Sequence, residues 1–366
     1  MSDTKNRSLI RINTQKLIGV SILATLAFSG IVFGLDRVVE IPKSENKKVE
    51  VTANWKNVKI QFLSQQSSGI WSVAFSPQDN ILATANQNKT IDLWNWQTGE
   101  FIRTLKGHTQ PVLSVVYSPD GQFLASSGSD SVIKLWDWRT GELIRTLEGH
   151  TKPIRSFAFS SDGQTLISSS WDKTIKIWNW QTGKLIRTLN GHSAGVFAVA
   201  ISPDGQTIAS VSKDKTIKLW NLQTGELIRS LEGHLDSVRT VTFSPNGRQI
   251  ATGSNDRMVK LWNPETGELI RTFEGHTDLV NSVAFSADGK TLVSASQDRA
   301  IRLWNTNTGQ LLNTFSEHSA TVNAVAFHPN KQIFVSGSWD KTVKVWQPIF
   351  ESFGIKKKVN VVTSYQ

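Results

Sequence analysis

The chain has 366 residues, 39% of them hydrophobic and 19% charged, which excludes disorder for most of its length and allows a sizeable core. It holds no cysteine, so disulfides, thiol catalysis and cysteine metal sites are ruled out while the redox compartment stays open. A net charge of +10 would suit nucleic acid only if the basic residues clustered, and they recur instead in columns: Lys134, Lys176, Lys218, Lys260, Arg302 and Lys344 in one, Arg103, Arg145, Arg187, Arg229 and Arg271 in another. Charge spread so evenly reads as a solvated face, and no nucleic-acid partner is expected.

Residues 1–16 carry Lys5, Arg7, Arg11 and Lys16 against one acid, Asp3, and Leu17 to Leu35 follow without a charge. At about 1.5 Å per residue, a helix over 17–35 would cross roughly 28 Å, close to the ~30 Å hydrocarbon core, so a transmembrane helix or signal anchor is expected there. The basic flank would leave the N-terminus in the cytoplasm and place the rest of a single-pass membrane protein on the non-cytoplasmic side. The alternative is a signal peptide cut near Ala27-Phe28-Ser29 and export of the remainder. The apolar run continues past that point to Leu35, which favours an uncleaved segment. Gly30 and Gly34 have the spacing of a close helix contact, but glycine is common in membrane helices and the plain reading is preferred. Residues 36–56 mix charges around Pro42 and read as a linker.

From 57 to 348 the chain repeats. Gly-His stands at Gly107-His108, Gly149-His150, Gly191-His192, Gly233-His234 and Gly275-His276, with a degenerate Glu317-His318 after them, each 42 residues beyond the last. A tryptophan follows 28 residues after each histidine, and Trp94 occupies the place of an earlier copy, making seven. Within a repeat, Val112–Tyr117 leads through the turn Ser118-Pro119-Asp120-Gly121 to Phe123–Ser126, then Val132–Trp136 and Glu142–Leu147: four short strands with turn signals between them. Lys59–Leu63 aligns with Leu143–Leu147 as a fourth strand standing alone, and the closing copy lacks that strand, since Pro348 follows soon after Trp346. The two ends complement one another. Columns 114 and 116 are held to small residues such as Ser72, Ala198, Ala74 and Ala284, as a crowded innermost strand requires. Residues 349–366, with Lys356 to Lys358, carry no repeat residues and read as a tail.

A period near 42 with Gly-His at one end and Trp-Asp at the other (Trp136-Asp137, elsewhere mostly Trp-Asn) resembles the WD40 repeat family over about Val58 to Gln347. The expected fold class is all-β: a seven-bladed WD40 β-propeller closed by an N-terminal strand and preceded by one transmembrane helix.

Each complete repeat holds a histidine, a hydroxyl and a carboxylate, a set that taken singly looks like a nucleophilic triad. The sets are His108, Ser126 and Asp130; His150, Ser168 and Asp172; His192, Ser210 and Asp214; His234, Thr252 and Asp256; His276, Ser294 and Asp298; and His318, Ser336 and Asp340. An enzyme needs one exposed nucleophile rather than six copies. The resemblance implies a buried structural network in which each set joins its tryptophan: Trp136, Trp178, Trp220, Trp262, Trp304 or Trp346. In the first repeat Gln66 and Asn88 stand for the histidine and aspartate, although Thr84 and Trp94 remain, so an incomplete network is expected there. The chain has no phosphate-cradling loop, no His-Glu-x-x-His and no Gly-x-Ser-x-Gly, and no catalytic residue, metal or cofactor is expected.

Two columns vary where the rest repeat. One follows the first apolar residue of the innermost strand: Trp71, Leu113, Arg155, Phe197, Arg239, Asn281, Asn323. The other immediately precedes the turn aspartate or its equivalent: Gln87, Ser129, Trp171, Lys213, Asn255, Gln297, Trp339. In WD40 proteins such positions rim the channel mouth and contact ligands. The resemblance therefore implies a non-catalytic platform that binds a protein or peptide, acidic by the sector's charge, through Trp71, Arg155, Trp171, Phe197, Lys213, Arg239 and Trp339. Two alternatives are kept open: Trp171 and Trp339 merely shield turns, or the channel serves an enzyme or a small-ligand site. Partner identity and oligomeric state are not legible.

Overall fold

The computed structural model describes residues 54–65 and 68–349. Alternation sets the strands: in Ile133–Asp137 the side chains of Ile133 and Leu135 are buried while Lys134 between them is half-exposed. Turn chemistry ends them. Gly121 takes φ 67°, its N–H bonds to Ser118 O at 2.8 Å, and Ser118 Oγ accepts the Phe123 N–H at 3.0 Å.

The described residues form seven four-stranded antiparallel sheets. Blade one comprises Ile70–Phe75, Ile81–Asn86, Thr90–Asn95 and Phe101–Lys106, paired in that order. Blades two to six repeat the plan from inner strands Val112–Tyr117, Ile154–Phe159, Val196–Ile201, Val238–Phe243 and Val280–Phe285. Successive inner strands touch, and Val322–Phe327 of blade seven touches Ile70–Phe75, so the ring closes around a central channel. The core lies between blades rather than within them: Ile91, Leu93 and Leu105 of blade one pack on Val112, Val115 and Trp136 of blade two. Each such buried aliphatic side chain contributes about 1.5–3 kcal/mol. The small column-114 residues also bond the ring together, since Ser72 Oγ, Thr240 Oγ1 and Ser282 Oγ accept the N–H of Val115, Val283 and Val325 in the next blade at 3.4, 3.3 and 3.2 Å.

Blade seven is completed from the other end of the chain. Asn54–Gln65 pairs with Thr342–Ile349, with Lys59 opposite Gln347 and Gln61 opposite Val345. This strand starts earlier than the expected Lys59–Leu63 and brings in Trp55, which is buried against Phe334 at 5.5 Å and accepts a hydrogen bond from Asn313 Nδ2 at 2.7 Å. A residue placed in the linker by sequence thus belongs to the core. The periodic arginines acquire a role as well. On the outer strands, Arg145, Arg229 and Arg271 donate to turn carbonyls of the following blade, Thr182 O, Glu265 O and Thr308 O, at 3.3, 3.1 and 3.0 Å. At the seam Gln61, in the same column, donates to Gln97 O at 3.0 Å.

Two expectations are corrected. Among the described residues every element is a strand, and no helix is long and apolar enough to cross a membrane. The physical reason is the period: between 54 and 349 apolar residues alternate and turns recur every few residues, so no stretch offers one continuous apolar helical surface. Over the described residues the fold class is therefore the seven-bladed propeller alone, and the expected transmembrane helix is not among its elements. The apolar run 17–35 on which that helix rests lies outside the described residues, as do the Gly30/Gly34 pair and Lys356 to Lys358. The single-pass placement, its sidedness and the membrane as a partner depend on that helix alone, and nothing among the described residues supports them.

Candidate partner-binding mouth of the channel

Two devices, present in all seven blades, bring the variable columns together. In every pairing of the first two strands the register slips across the first variable column: Ile154 opposes Ser170 and Ser156 opposes Ser169, leaving Arg155 unpaired between them. Trp71, Leu113, Phe197, Arg239, Asn281 and Asn323 sit in the same bulge. A bulge re-aims the side chain that it leaves unpaired. The second column is fastened beside it by its backbone, because Trp171 N–H donates to Pro153 O at 3.0 Å, Lys213 N–H to Gly195 O at 2.9 Å and Trp339 N–H to Thr321 O at 2.9 Å.

The result is a connected surface. Trp339 and Trp71 meet edge to face at 5.1 Å. The Arg155 guanidinium lies 5.1 Å from the Trp71 ring and 6.0 Å from Phe197, reaching past blade two, whose Leu113 is buried. Phe197 also carries Arg239 at 5.4 Å and Trp171, edge on, at 6.3 Å. Lys213 is exposed, and no ring contact or side-chain bond joins it to this group. Trp171 and Trp339 remain 44% and 38% exposed.

Around these residues the polar side chains are mostly paired. Trp71 Nε1 donates to Gln87 Oε1 at 2.5 Å, Arg239 Nε to Asn255 Oδ1, and Arg239 Nη1 to Asn281 Oδ1 at 3.4 Å. Asn281 and Asn323 donate to Val322 O and Ile70 O at 3.2 and 2.7 Å. Sequence reasoning missed Leu235, which is 82% exposed, bonds through its N–H to Asp256 next to Asn255 of the second column, and stands where the other blades carry Thr109, Thr151, Ser193, Thr277 and Ser319. An apolar residue breaking a polar column was the available signal.

The triad-like sets lie elsewhere, inside the blades. In blade four Trp220 Nε1 donates to Ser210 Oγ at 2.8 Å, Ser210 Oγ lies 2.8 Å from His192 Nε2, and His192 Nδ1 lies 2.8 Å from Asp214. Ser210 Oγ accepts from the indole, so its own proton points to Nε2 and the imidazole takes the Nδ1–H form that the carboxylate accepts. The same chain holds in blades two, three, five, six and seven through Ser126, Ser168, Thr252, Ser294 and Ser336. All six hydroxyls have no exposure, so none can meet a substrate. Burial pulls the Asp172 and Asp214 carboxyls up, but the histidine, the threonine hydroxyl and backbone N–H groups outweigh it and hold both well below the usual carboxylate range. Asp256 is held at about 2 by His234 and two backbone N–H groups against the same pull.

Blade one differs. Trp94 Nε1 and Trp96 Nε1 are buried without a partner, and Thr84 Oγ1 reaches only Asp92 O at 3.3 Å. Asp92 is bound instead by Asn86 Nδ2 at 2.8 Å and the Thr104 hydroxyl at 2.5 Å, while burial raises its carboxyl above the ordinary value despite them. Gln66 lies outside the described residues.

At the opposite end of the channel a cavity of about 450 Å³ is lined by Ala158, Ala200, Ala284 and Ala326 with Phe159, Phe243, Phe285 and Phe327. No ionisable side chain lines it, so it offers neither acid nor base. Among the described residues no group of His, Asp and Glu is placed to hold a metal ion.

Residues 57–95, 99–137, 267–305 and 309–347 match the family profile described as WD domain, G-beta repeat, and 153–266 match that of the IFT122 first beta-propeller. With the seven blades above, these matches make the chain a WD40-repeat protein. Among curated relatives, it is 35% identical over 68 residues to nuclear distribution protein PAC1 of Coprinopsis cinerea, covering 18% of this chain and 16% of that one. It is 44% identical over 48 residues to the PAC1 protein of Tuber melanosporum, 13% of this chain and 11% of the relative. It is 34% identical over 70 residues to nuclear distribution protein nudF of Aspergillus flavus, 19% and 15% respectively.

Proposed function

We propose that this propeller is a non-catalytic protein-binding platform, and that it holds an acidic peptide segment with an apolar anchor on the face that carries Trp71, Arg155, Trp171, Phe197, Lys213, Arg239 and Trp339. The observation that carries this reading is the continuous aromatic and cationic surface running from Trp339 through Trp71, Arg155 and Phe197 to Arg239. Tryptophan and arginine dominate binding hot spots, and exposed Trp171, Trp339 and Leu235 offer apolar contact beside the cations. The relatives' names speak of nuclear distribution, but the matches cover too little of those proteins to bring a partner with them. The rival, chemistry in the channel, lacks an acid or base in the cavity and has its hydroxyls sealed in the blades. Selection from a random peptide library tests the proposal. Acidic sequences holding one large apolar residue should be enriched, and the variant with Trp171, Phe197 and Arg239 changed to alanine should lose them while melting within a few degrees of the parent. Undiminished binding by that variant would sink the site.

A further inference from the structure

Among the described residues, one half-buried charged side chain in the mouth has no partner. Gln87, Asn255 and Asn281 satisfy Trp71 and Arg239, and Asn281 and Asn323 bond to backbone carbonyls, but the Arg155 guanidinium takes part in no hydrogen bond or ion pair. Its surroundings offer aromatic rings but no acid. Trp71 and Phe197 flank it, and the charge that acts on it is another cation, Arg239. Arg239 is differently placed, with Asp236 and Asp278 near enough to favour its charged form. Burial and the repulsion of Arg239 push Arg155 down to about 10, still charged at neutral pH. A half-buried guanidinium whose N–H donors have no protein partner, yet are not sealed from solvent, is open to an arriving anion.

We infer that the channel mouth is a carboxylate seat, in which an acidic side chain of a bound peptide pairs with Arg155 between the rings of Trp71 and Phe197, with Arg239, also beside Phe197, adding charge. Planarity is the reason for choosing a carboxylate. A guanidinium presents a flat fork, and a carboxylate meeting it bidentately extends the same plane, which suits a slot walled by two aromatic rings. A phosphate can also offer two oxygens to the fork, but its remaining oxygens stand out of that plane and would meet the rings. The inference rests on the peptide-binding reading but narrows it: the acid enters the channel mouth, while the apolar anchor stays outside near Trp171 or Trp339.

Calorimetry with four short peptides tests it, each carrying one leucine and an acetylated N-terminus. The first has an internal glutamate and an amidated end, the second glutamine in its place, the third glutamine with a free terminal carboxylate, and the fourth phosphoserine with an amidated end. The glutamate peptide should bind about tenfold more tightly than the glutamine one, and Arg155→Gln should erase that preference. Arg155→Lys, which keeps the charge but loses the fork, should restore little of it, while Arg248→Gln, at an exposed turn far along the strand, should leave it intact. Removing an unpaired cation should not lower the melting temperature, so loss of binding would not reflect unfolding. If only the third peptide binds, the seat takes a chain terminus, and a side chain is the wrong source. Equal binding of glutamate and glutamine, tightest binding of phosphoserine, or no binding up to ~10 mM would overturn the inference. None of these outcomes touches the alanine-variant test, so the seat and the platform fail separately.

Discussion

The six hydroxyls buried between tryptophan and histidine supply a sharp test, because blade one provides an internal control. Thr252→Val in blade five keeps the shape but removes the oxygen that accepts from Trp262 Nε1 at 2.9 Å and lies 2.8 Å from His234 Nε2. Both ring nitrogens are then left without a partner in a site where Trp262, His234 and Thr252 are all buried. At about 1–3 kcal/mol for each of the two orphaned polar groups, the loss should be about 2–6 kcal/mol. Thr84→Val makes the same change in blade one. There Trp94 Nε1 is already without a partner and the hydroxyl reaches only Asp92 O at 3.3 Å, so one ordinary hydrogen bond of about 0.5–1.5 kcal/mol is at stake. At roughly 2 °C per kcal/mol for a domain this large, the first variant should melt about 4–12 °C lower and the second by at most about 3 °C. Calorimetric melting of the two purified variants against the parent measures both. Equal shifts would refute the view that the hydroxyl acts by satisfying the two ring nitrogens.

The seam gives a second expectation: deleting residues 1–53 should leave a folded ring, whereas deleting 1–65 strips the partner from Thr342–Ile349 and should yield aggregates by light scattering. Equal melting of the two truncations would refute closure through that strand. The network carboxylates give a third. Asp130, Asp172, Asp214, Asp256, Asp298 and Asp340 titrate lower in the fold than in the unfolded chain, so the unfolded chain binds more protons and stability is lost as pH falls from about 4 towards about 2. His328, packed on Phe75 and Trp96, is held down to about 4 by burial and by Lys331, and burial also lowers His276. Decline should therefore begin below about pH 6.5, and His328→Asn should flatten the stretch between there and pH 4 in urea titrations. A parent more stable at pH 4.5 than at 7 would reverse the sign and refute the account.

The architecture was legible because a propeller is assembled from local units. A 42-residue period, strands of four to six residues and fixed turns each depend on neighbours in sequence, and so does the complementarity of the two chain ends. The hydroxyl networks were legible for the same reason, since histidine, serine, aspartate and tryptophan recur at fixed offsets within one blade. What crosses between blades was not. The reach of Arg155 past Leu113 to Trp71 joins residues 84 positions apart, and it depends on a bulge that no residue pattern announces. The arginine column looked like solvated charge until the ring set Arg145, Arg229 and Arg271 against the next blade's turn. Trp55 looked like linker because its partners, Phe334 and Asn313, stand at the other end of the chain. Sequence by itself determined the blades and their number, because those follow from short-range hydrogen bonding and alternation. Only the tertiary structure decided how far the seam strand runs, the rim bonds and the unpaired cation in the mouth, because each depends on where closing the ring brings side chains that sequence keeps far apart.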